Sequence, residues 1–463
     1  MSWLRSSASW KQSDVPDRLT LEEVRRQVAD GTVDTVLIGF TDMQGRLQGK
    51  RLDADFFLED VLDHAAEGCN YLLAVDVEMS TVDGYAMSSW DTGYGDFVLR
   101  PDLSTLHWVT WHPGTVAVLC DLEWEDGAAV VASPRQILRR QCERLAEQGL
   151  MAYAATELEV LLFRDSYEEA WTSGYQGMTP ANQYNVDYSL LGTSRVEPLL
   201  RRIRLAMRAA GLQVESVKGE CNLGQHEIAF KYADALRTCD QHVVYKNAAK
   251  EIAAQEGMSL TFMAKYDERE GNSCHIHLSL LSAEGEPVFA AGDGFAPMFE
   301  QFLAGQLAAM RELTLFFAPT INAYKRFAEG SFAPTAVAWG RDNRTCAIRV
   351  VGHGSSLRLE NRVPGGDVNP YLACAAMIAA GLHGIAAELP LEEAFAGNAY
   401  RSDKPRVPTS LREAAELFAE SKLARLAFGD EVVEHYLNMA RVEVNAYDAA
   451  VTDWERYRGF ERL

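Results

Sequence analysis

The sequence predicts a mixed α and β chain of two domains, and three observations lead there. The stretch from Leu19 to Trp111 carries short strand-like runs and few long periodic segments. Trp111-His-Pro-Gly114 then interrupts the pattern, because Pro and Gly end regular structure. Beyond it, helix and strand signals alternate. We therefore expect an N-terminal domain over residues 19–112 and a larger one over 113–463.

The elements follow in order. Thr35-Val-Leu-Ile-Gly-Phe-Thr41 reads as a strand, followed by a turn with Gly45 and Gly49. Ser133-Pro134-Arg135-Gln136 is a helix start, with a serine cap, proline in the first turn and Gln three residues after the cap. Gly149 is its natural stop. Leu150 to Phe163 is strand-like, and the polar, aromatic stretch from Ser166 to Ser194 reads as a long surface loop. Glu197–Ala210 and Asp240–Glu256 are helical, each followed by glycine; Met258–Ala264 and His275–Leu281 read as strands. The Ala-rich run Tyr371–Ala387, interrupted by Gly381, His383 and Gly384, is short for a bilayer and suits a buried helix.

Composition excludes some functions. The 463 residues include 66 acidic and 44 basic side chains, a net charge of −22, and 48% are hydrophobic. Such a chain builds a globular core, and its charge disfavours nucleic acid or an anionic membrane as partner. Arg5 and the polar residues after it stand where a signal peptide needs an apolar run. Eight cysteines without CxxC spacing suit small core residues in a reducing compartment, so a cytoplasmic protein is expected. The chain has no Walker-type loop, no GxGxxG and no G-x-S-x-G, so any nucleotide is held another way and a serine hydrolase is disfavoured.

Alternate residues on a strand share a face. Under that rule Glu157 and Glu159 fall together, as do His275, His277 and Ser279, and also Arg358, Glu360 and Arg362. A fourth segment, Glu220-Cys-Asn-Leu-Gly-Gln-His-Glu227, brackets a glycine with two acids. Singly, each reads as a solvated sheet face or a surface charge ladder. Together, five glutamates and a histidine suit Mg²⁺ or Mn²⁺, and arginines suit phosphate and carboxylate. Further arginines follow at 326, 341, 344 and 349. The combination suggests phosphoryl transfer onto a carboxylate.

Seven motifs in order resemble the bacterial type I glutamine synthetase family over nearly the whole chain. They are Thr156-Glu-Leu-Glu159, Gly224-Gln-His-Glu227, His275-Ile-His-Leu-Ser279, Asn322-Ala-Tyr-Lys-Arg326, Asn343-Arg-Thr-Cys-Ala-Ile-Arg349, Arg358-Leu-Glu-Asn-Arg362 and Asn369-Pro-Tyr371. The resemblance implies an α+β fold: an N-terminal β-grasp domain, then a catalytic domain with an open antiparallel β-barrel flanked by helices. It implies a homo-oligomer, a dodecamer with active sites between subunits. It also implies at least two divalent ions per site, one held by Glu159, Glu220 and Glu227 and one by Glu157, His275 and Glu360. Arg326 would grip the α-carboxylate of glutamate, with Gly271 in the same binding loop. Arg344, Arg349 and Arg362 would face the phosphates and the γ-carboxylate. His277, Ser279, Tyr232 and Arg358 would contact ATP, Tyr232 by stacking on adenine. ATP would phosphorylate glutamate, and an amine would then displace phosphate.

One segment departs from the family. Its members carry Gly-Tyr-Glu-Ala-Pro after the glutamate arginine, and that glutamate helps bind and deprotonate ammonium. Here Gly330-Ser-Phe332-Ala-Pro334 places an aromatic ring there, which accepts no proton. The family's Asp-Gly-Ser-Ser is missing too, with Asp83-Gly84 or Asp76 the nearest candidates. These departures point to the γ-glutamyl-amine ligase branch, with Phe332 and Tyr184 shaping an amine pocket. Ethanolamine is the expected amine, since a diamine such as putrescine wants a distal carboxylate. Polyamine ligation, glutamine synthesis from ammonium and a non-catalytic scaffold are the alternatives. Tyr400, near a position adenylylated in some relatives, reads as an ordinary loop tyrosine.

Overall fold

The computed structural model describes residues 19–292 and 294–463. Arg5 and the segment read for a signal sequence lie outside the described residues. In β1 (Thr35–Thr41) the alternation buries Val36, Ile38 and Phe40. The strand pairs antiparallel with β2 (Leu47–Asp53). The sheet is completed by β3 (Ala66–Cys69), β4 (Asp96–Pro101), β5 (His107–Trp108) and β6 (Thr115–Glu123). Its order is β2-β1-β6-β4-β3, with β1 and β6 parallel at the centre and the other neighbours antiparallel. A β-grasp has that arrangement.

A boundary at 112–113 cuts this sheet. Residues Trp111–Gly114 are the turn between β5 and β6, which pair antiparallel, so Pro and Gly mark a hairpin and not a linker. Val116, Val118, Cys120, Leu122 and Val130 all lie in the smaller core.

A larger sheet follows, comprising β7 (Leu150–Phe163), β8 (Val214–Gly219), β9 (Gln225–Phe230), β10 (Ala233–Asp234), β11 (Ser259–Thr261), β12 (Cys274–Ser282), β15 (Trp339–Arg341), β16 (Ile348–Val351) and β17 (Arg358–Asn361). Strands β13 (Ala290–Ala291) and β14 (Gly294–Phe295) form a separate pair. The order is β15-β16-β17-β12-β7-β9-β8, with β10 and β11 also on β7, which makes a curved, nearly closed sheet flanked by helices. Long β7 bridges the two halves, with β12 along one edge and β9 along the other.

The helices cover this sheet. Pro370–Ala386, the Ala-rich run, is buried along nearly its whole length. A Cβ at Gly384 would stand 2.1 Å from Gln301 O, so its glycine allows the helix Pro297–Ala309 to approach backbone to backbone. The helix expected from Ser133 spans Pro134–Ala146, although Ser133 makes no side-chain cap. The helix expected at Asp240 begins at Ala235, capped by Asp234. The 166–194 stretch contains two short helices, Tyr167–Thr172 and Leu190–Ser194. The first opens with a Ser166/Glu169 capping box, a signal present in the sequence. All eight cysteines are free. Among the described residues, no helix is long and apolar enough to cross a membrane.

Candidate active site

The strand registers gather the candidate residues on one face of the large sheet. His275 stands opposite Glu157, Glu159 opposite Glu227, and Glu227 opposite Lys218. Glu360 faces His277 on one side and Arg349 on the other. Period-two alternation on six neighbouring strands thus converts four short motifs into one polar surface.

Two clusters form there. In the first, ligand atoms of Glu157, His277 and Glu360 lie within 4.8 Å of one another. Arg358 Nε donates to His277 Nδ1 at 3.2 Å, which leaves the ring proton on Nε2, 2.9 Å from Glu157 Oε1. His275 Nδ1 reaches both carboxylates, 3.4 Å from Glu157 and 3.5 Å from Glu360. Both histidines are thus in reach of the pair. Arg349 Nη1 donates to Glu360 Oε2 at 2.8 Å, and Arg362 Nη1 donates to Glu360 Oε1. Burial alone would raise the Glu360 carboxyl, but the His275 and Arg362 charges win and hold it down to about 2. Burial also opposes charge on Glu157, yet hydrogen bonds from both histidines keep it well below the usual range.

The second cluster comprises Glu159, Glu220 and Glu227, again with ligand atoms within 4.8 Å. Its cation is Lys218, which pairs with Glu220 and lies 3.4 Å from Glu227. Burial, together with the negative charges of Glu157 and Glu159, pushes Glu227 up to about 8 despite Lys218. Glu159 Oε2 accepts from Ser273 N at 2.6 Å and Gln225 Nε2 at 3.2 Å. Gln225 Nε2 also reaches Gly271 O and Asn272 Oδ1, tying this carboxylate to the next loop.

Arg326 is 1% exposed and donates to Val363 O at 2.8 Å and Arg362 O at 2.9 Å, while its Nε has no partner. Burial brings its pKa down to about 10, so it remains charged at neutral pH. Gly271 packs on it: a Cβ there would meet Arg326 Cγ at 3.0 Å and Ala264 O at 2.1 Å. An unpartnered, buried N–H on a fixed guanidinium suits a small carboxylate.

The remaining candidates lie around this face. Arg344 is exposed, and its carbonyl accepts from Arg362 Nε at 3.2 Å. Arg349 also pairs with Asp342 through Nε at 2.9 Å. Ser279 shares the strand face of His275 and His277. Tyr232 is half-exposed beside Tyr153, with ring centroids 6.1 Å apart. Phe332 has φ of 58°, exposes its ring and accepts from Arg362 Nη2 at 3.3 Å through its carbonyl. Tyr184 packs on Arg195 within the loop, its ring centroid 5.7 Å from the guanidinium. Asp76 caps its own turn through the Glu78 and Ser80 amides, and Asp83 O accepts from Asn438.

Sequence reasoning missed Lys218, Gln225 and Tyr188. Gln225 lies two residues before Glu227 on β9, so the same alternation would have found it, whereas Lys218 enters the cluster through its register opposite Glu227. Tyr188, whose ring stands over Lys218 Nζ at 5.2 Å, gives no such signal.

This surface of carboxylates, imidazoles and guanidiniums has the groups that bind divalent cations and phosphates. The chain is 67% identical to the γ-glutamylethanolamide synthetase GlnA4 of Streptomyces coelicolor over 445 residues, 96% of each chain. It is 39% identical to a glutamate–isopropylamine ligase of Pseudomonas over 94% of this chain and 97% of that one. The solved structure of apo GmaS superposes with a TM-score of 0.83 at 26% identity, covering 95% of this chain and 99% of the other. Residues 131–458 match the glutamine synthetase catalytic domain. With that match over more than half its length, the chain belongs to the glutamine synthetase family.

Proposed function

We propose that this protein is an ATP-dependent ligase that joins the γ-carboxylate of glutamate to a small amine, with ethanolamine the preferred substrate. The observation that carries this reading is the contrast between a complete carboxylate, histidine and arginine face and a 330–334 turn whose central side chain is Phe332. Residues suited to activating a carboxylate are retained, while the proton-accepting flap residue of ammonium-using relatives is replaced by a ring. The name of the 67% identical relative supports ethanolamine.

The donor set fits Mg²⁺ or Mn²⁺: two groups of hard oxygen donors and imidazole, with Glu227 pushed up by burial and then by the charges of Glu157 and Glu159. Glu159, Glu220 and Glu227 would hold one ion; Glu157, His275 and Glu360 the other. Such ions neutralise phosphate oxygens during transfer. His277, fixed by Arg358, orients Glu157 and faces ATP together with Ser279, with Tyr232 beside the base. Arg326 and the Gly271 loop bind the glutamate α-carboxylate. The γ-carboxylate attacks the terminal phosphorus of ATP, ADP leaves, and Arg344, Arg349 and Arg362 stabilise the transferring group. The amine nitrogen then attacks the acyl carbon, phosphate departs with the C–O bond pair, and the ammonium proton is lost. Phe332 lines the amine side, where a ring excludes water from the acyl phosphate. We further propose a cytoplasmic dodecamer with sites between subunits.

The test supplies purified protein with glutamate, ATP and Mg²⁺ or Mn²⁺, and with ammonium, ethanolamine, putrescine or isopropylamine, following phosphate release and product mass. Ethanolamine should give the highest kcat/KM. Faster turnover with ammonium than with every other amine would overturn the reading.

A further inference from the structure

The 326–334 segment is tied down at successive points. Ser331 Oγ donates to Arg326 O or Ala328 O, 3.0 and 2.7 Å away, and accepts from Ala333 N at 3.3 Å. Arg362 Nη2 donates to Phe332 O at 3.3 Å. From behind, Tyr400 Oη donates to Ala333 O at 3.0 Å. Tyr400 is itself fixed. It is buried, its amide donates to Asn398 Oδ1 at 3.0 Å, and its carbonyl accepts from Arg406 Nη1 at 3.0 Å. The strap that follows pairs with the chain beyond the turn, through Val337 N to Pro405 O at 2.7 Å and Val407 N to Thr335 O at 3.2 Å.

These ties hold an unfavourable conformation. A φ of 58° is unfavourable for a bulky side chain, and such a residue persists only where its surroundings over-determine it. The exposed ring of Phe332 therefore stands where it does because its backbone is clamped, and the Tyr400 hydroxyl is the member of the clamp that comes from outside the large sheet and the turn itself. Burial raises the phenol pKa, so the hydroxyl keeps its proton and remains a donor throughout the neutral range.

We propose that Tyr400 is a positioning residue for amine selectivity, holding the Phe332 turn as a fixed wall on the amine side of the site. This rests on the assignment of Phe332 to the amine pocket. The hydroxyl of Tyr400 reaches the site through the Ala333 carbonyl of this turn and not through the carboxylates of either cluster, so its removal should act chiefly on the second half-reaction. The prediction concerns a ratio: the kcat/KM for a carbon-bearing amine against that for hydroxylamine, a nucleophile too small to need the wall.

The experiment is a double-mutant cycle with Tyr400→Phe and Phe332→Ala, and Ser331→Ala as an independent way of loosening the same turn. In each protein, γ-glutamylethanolamide and γ-glutamyl hydroxamate formation are measured alongside KM for ATP and glutamate. Tyr400→Phe should lower the ethanolamine-to-hydroxylamine ratio about tenfold, the effect of one hydrogen bond of about 1.4 kcal/mol. The KM values for ATP and glutamate should stay within about twofold on the same principle. Ser331→Ala should move the ratio in the same direction. In the Phe332→Ala background, Tyr400→Phe should have no further effect, because the wall it holds is gone. An additive cycle, or an equal loss with both nucleophiles, overturns the role of Tyr400. A Phe332→Ala enzyme with an unchanged ratio overturns instead the assignment of the pocket, so the two failures are distinguishable.

Discussion

The two carboxylate clusters stand on the same sheet face, yet they are compensated in opposite ways. Glu360 meets two arginines and a histidine and is held down to about 2. Glu227 shares one lysine with Glu220, faces two further glutamates, and is pushed up to about 8. The first cluster is electrostatically complete within the protein, whereas the second carries an excess of negative charge. The difference teaches that folding alone compensates the charge of one half of the site, whereas the other keeps a surplus that a bound cation would offset more strongly.

The sharpest way to break this comparison is Glu360→Gln. The glutamine keeps the shape but removes the counter-charge of Arg349 and Arg362, leaving guanidiniums in a buried setting without it. Breaking a buried pair from one side costs about 3–5 kcal/mol. Chemical denaturation of the metal-free protein should show a loss of that size, and amide formation should fall by roughly three orders of magnitude or more. A variant as stable as the parent would show that Glu360 is not compensated as the geometry indicates.

The comparison must be read where the rest of the fold does not titrate. His435 is buried against Met43, Tyr85 and Tyr436, and burial brings its pKa down to about 4. His242, beneath Thr156, is brought down to about 3 by burial and then by Lys246. Each folded value lies below the unfolded one near 6.5, so acidification protonates the unfolded chain first. Stability is therefore full above about pH 6.5 and declines as pH falls toward 4. From His435 alone the decline is on the order of 3 kcal/mol. Denaturation midpoints between pH 7.5 and 4.5 should follow this course, and His435→Gln should flatten it. A flat profile in the parent would remove the argument.

Arg326→Lys separates the substrate carboxylate from both clusters. Lysine keeps a charge but cannot reproduce the two backbone bonds and the free Nε of the guanidinium. KM for glutamate should rise about 100-fold, with KM for ATP within about threefold. Equal rises for both would place Arg326 in general support of the face.

Much of this face was legible in the sequence because a strand alternates with period two. The boundaries of β1 and β7 match the runs Thr35–Thr41 and Leu150–Phe163 residue for residue, and Glu157, Glu159, His275 and Glu360 fell out of the same rule. Other features depend on contacts between distant segments. The hold of Tyr400 on Ala333 spans 67 positions, and no local pattern encodes it. Lys218 was overlooked for a related reason. Its segment carries no strand pattern of its own, and it reaches the cluster only through pairing with Glu227 across the sheet. The domain boundary failed because His112-Pro-Gly114 has the composition of a linker and serves as a hairpin turn.

The smallest effect is also the most discriminating. Glu227→Gln removes one carboxylate from the crowded cluster while Lys218 retains Glu220. Since like charges oppose one another there, the metal-free variant should be as stable as the parent or more stable by up to about 1 kcal/mol. Mg²⁺ or Mn²⁺ should bind the variant at least about tenfold more weakly, and stabilise it correspondingly less against heat. The sign of the metal-free change is the informative quantity, because Glu360→Gln destabilises under identical conditions. If both substitutions destabilise the metal-free protein to a similar extent, the clusters are equally compensated and the contrast between a balanced half and a half with surplus negative charge is lost.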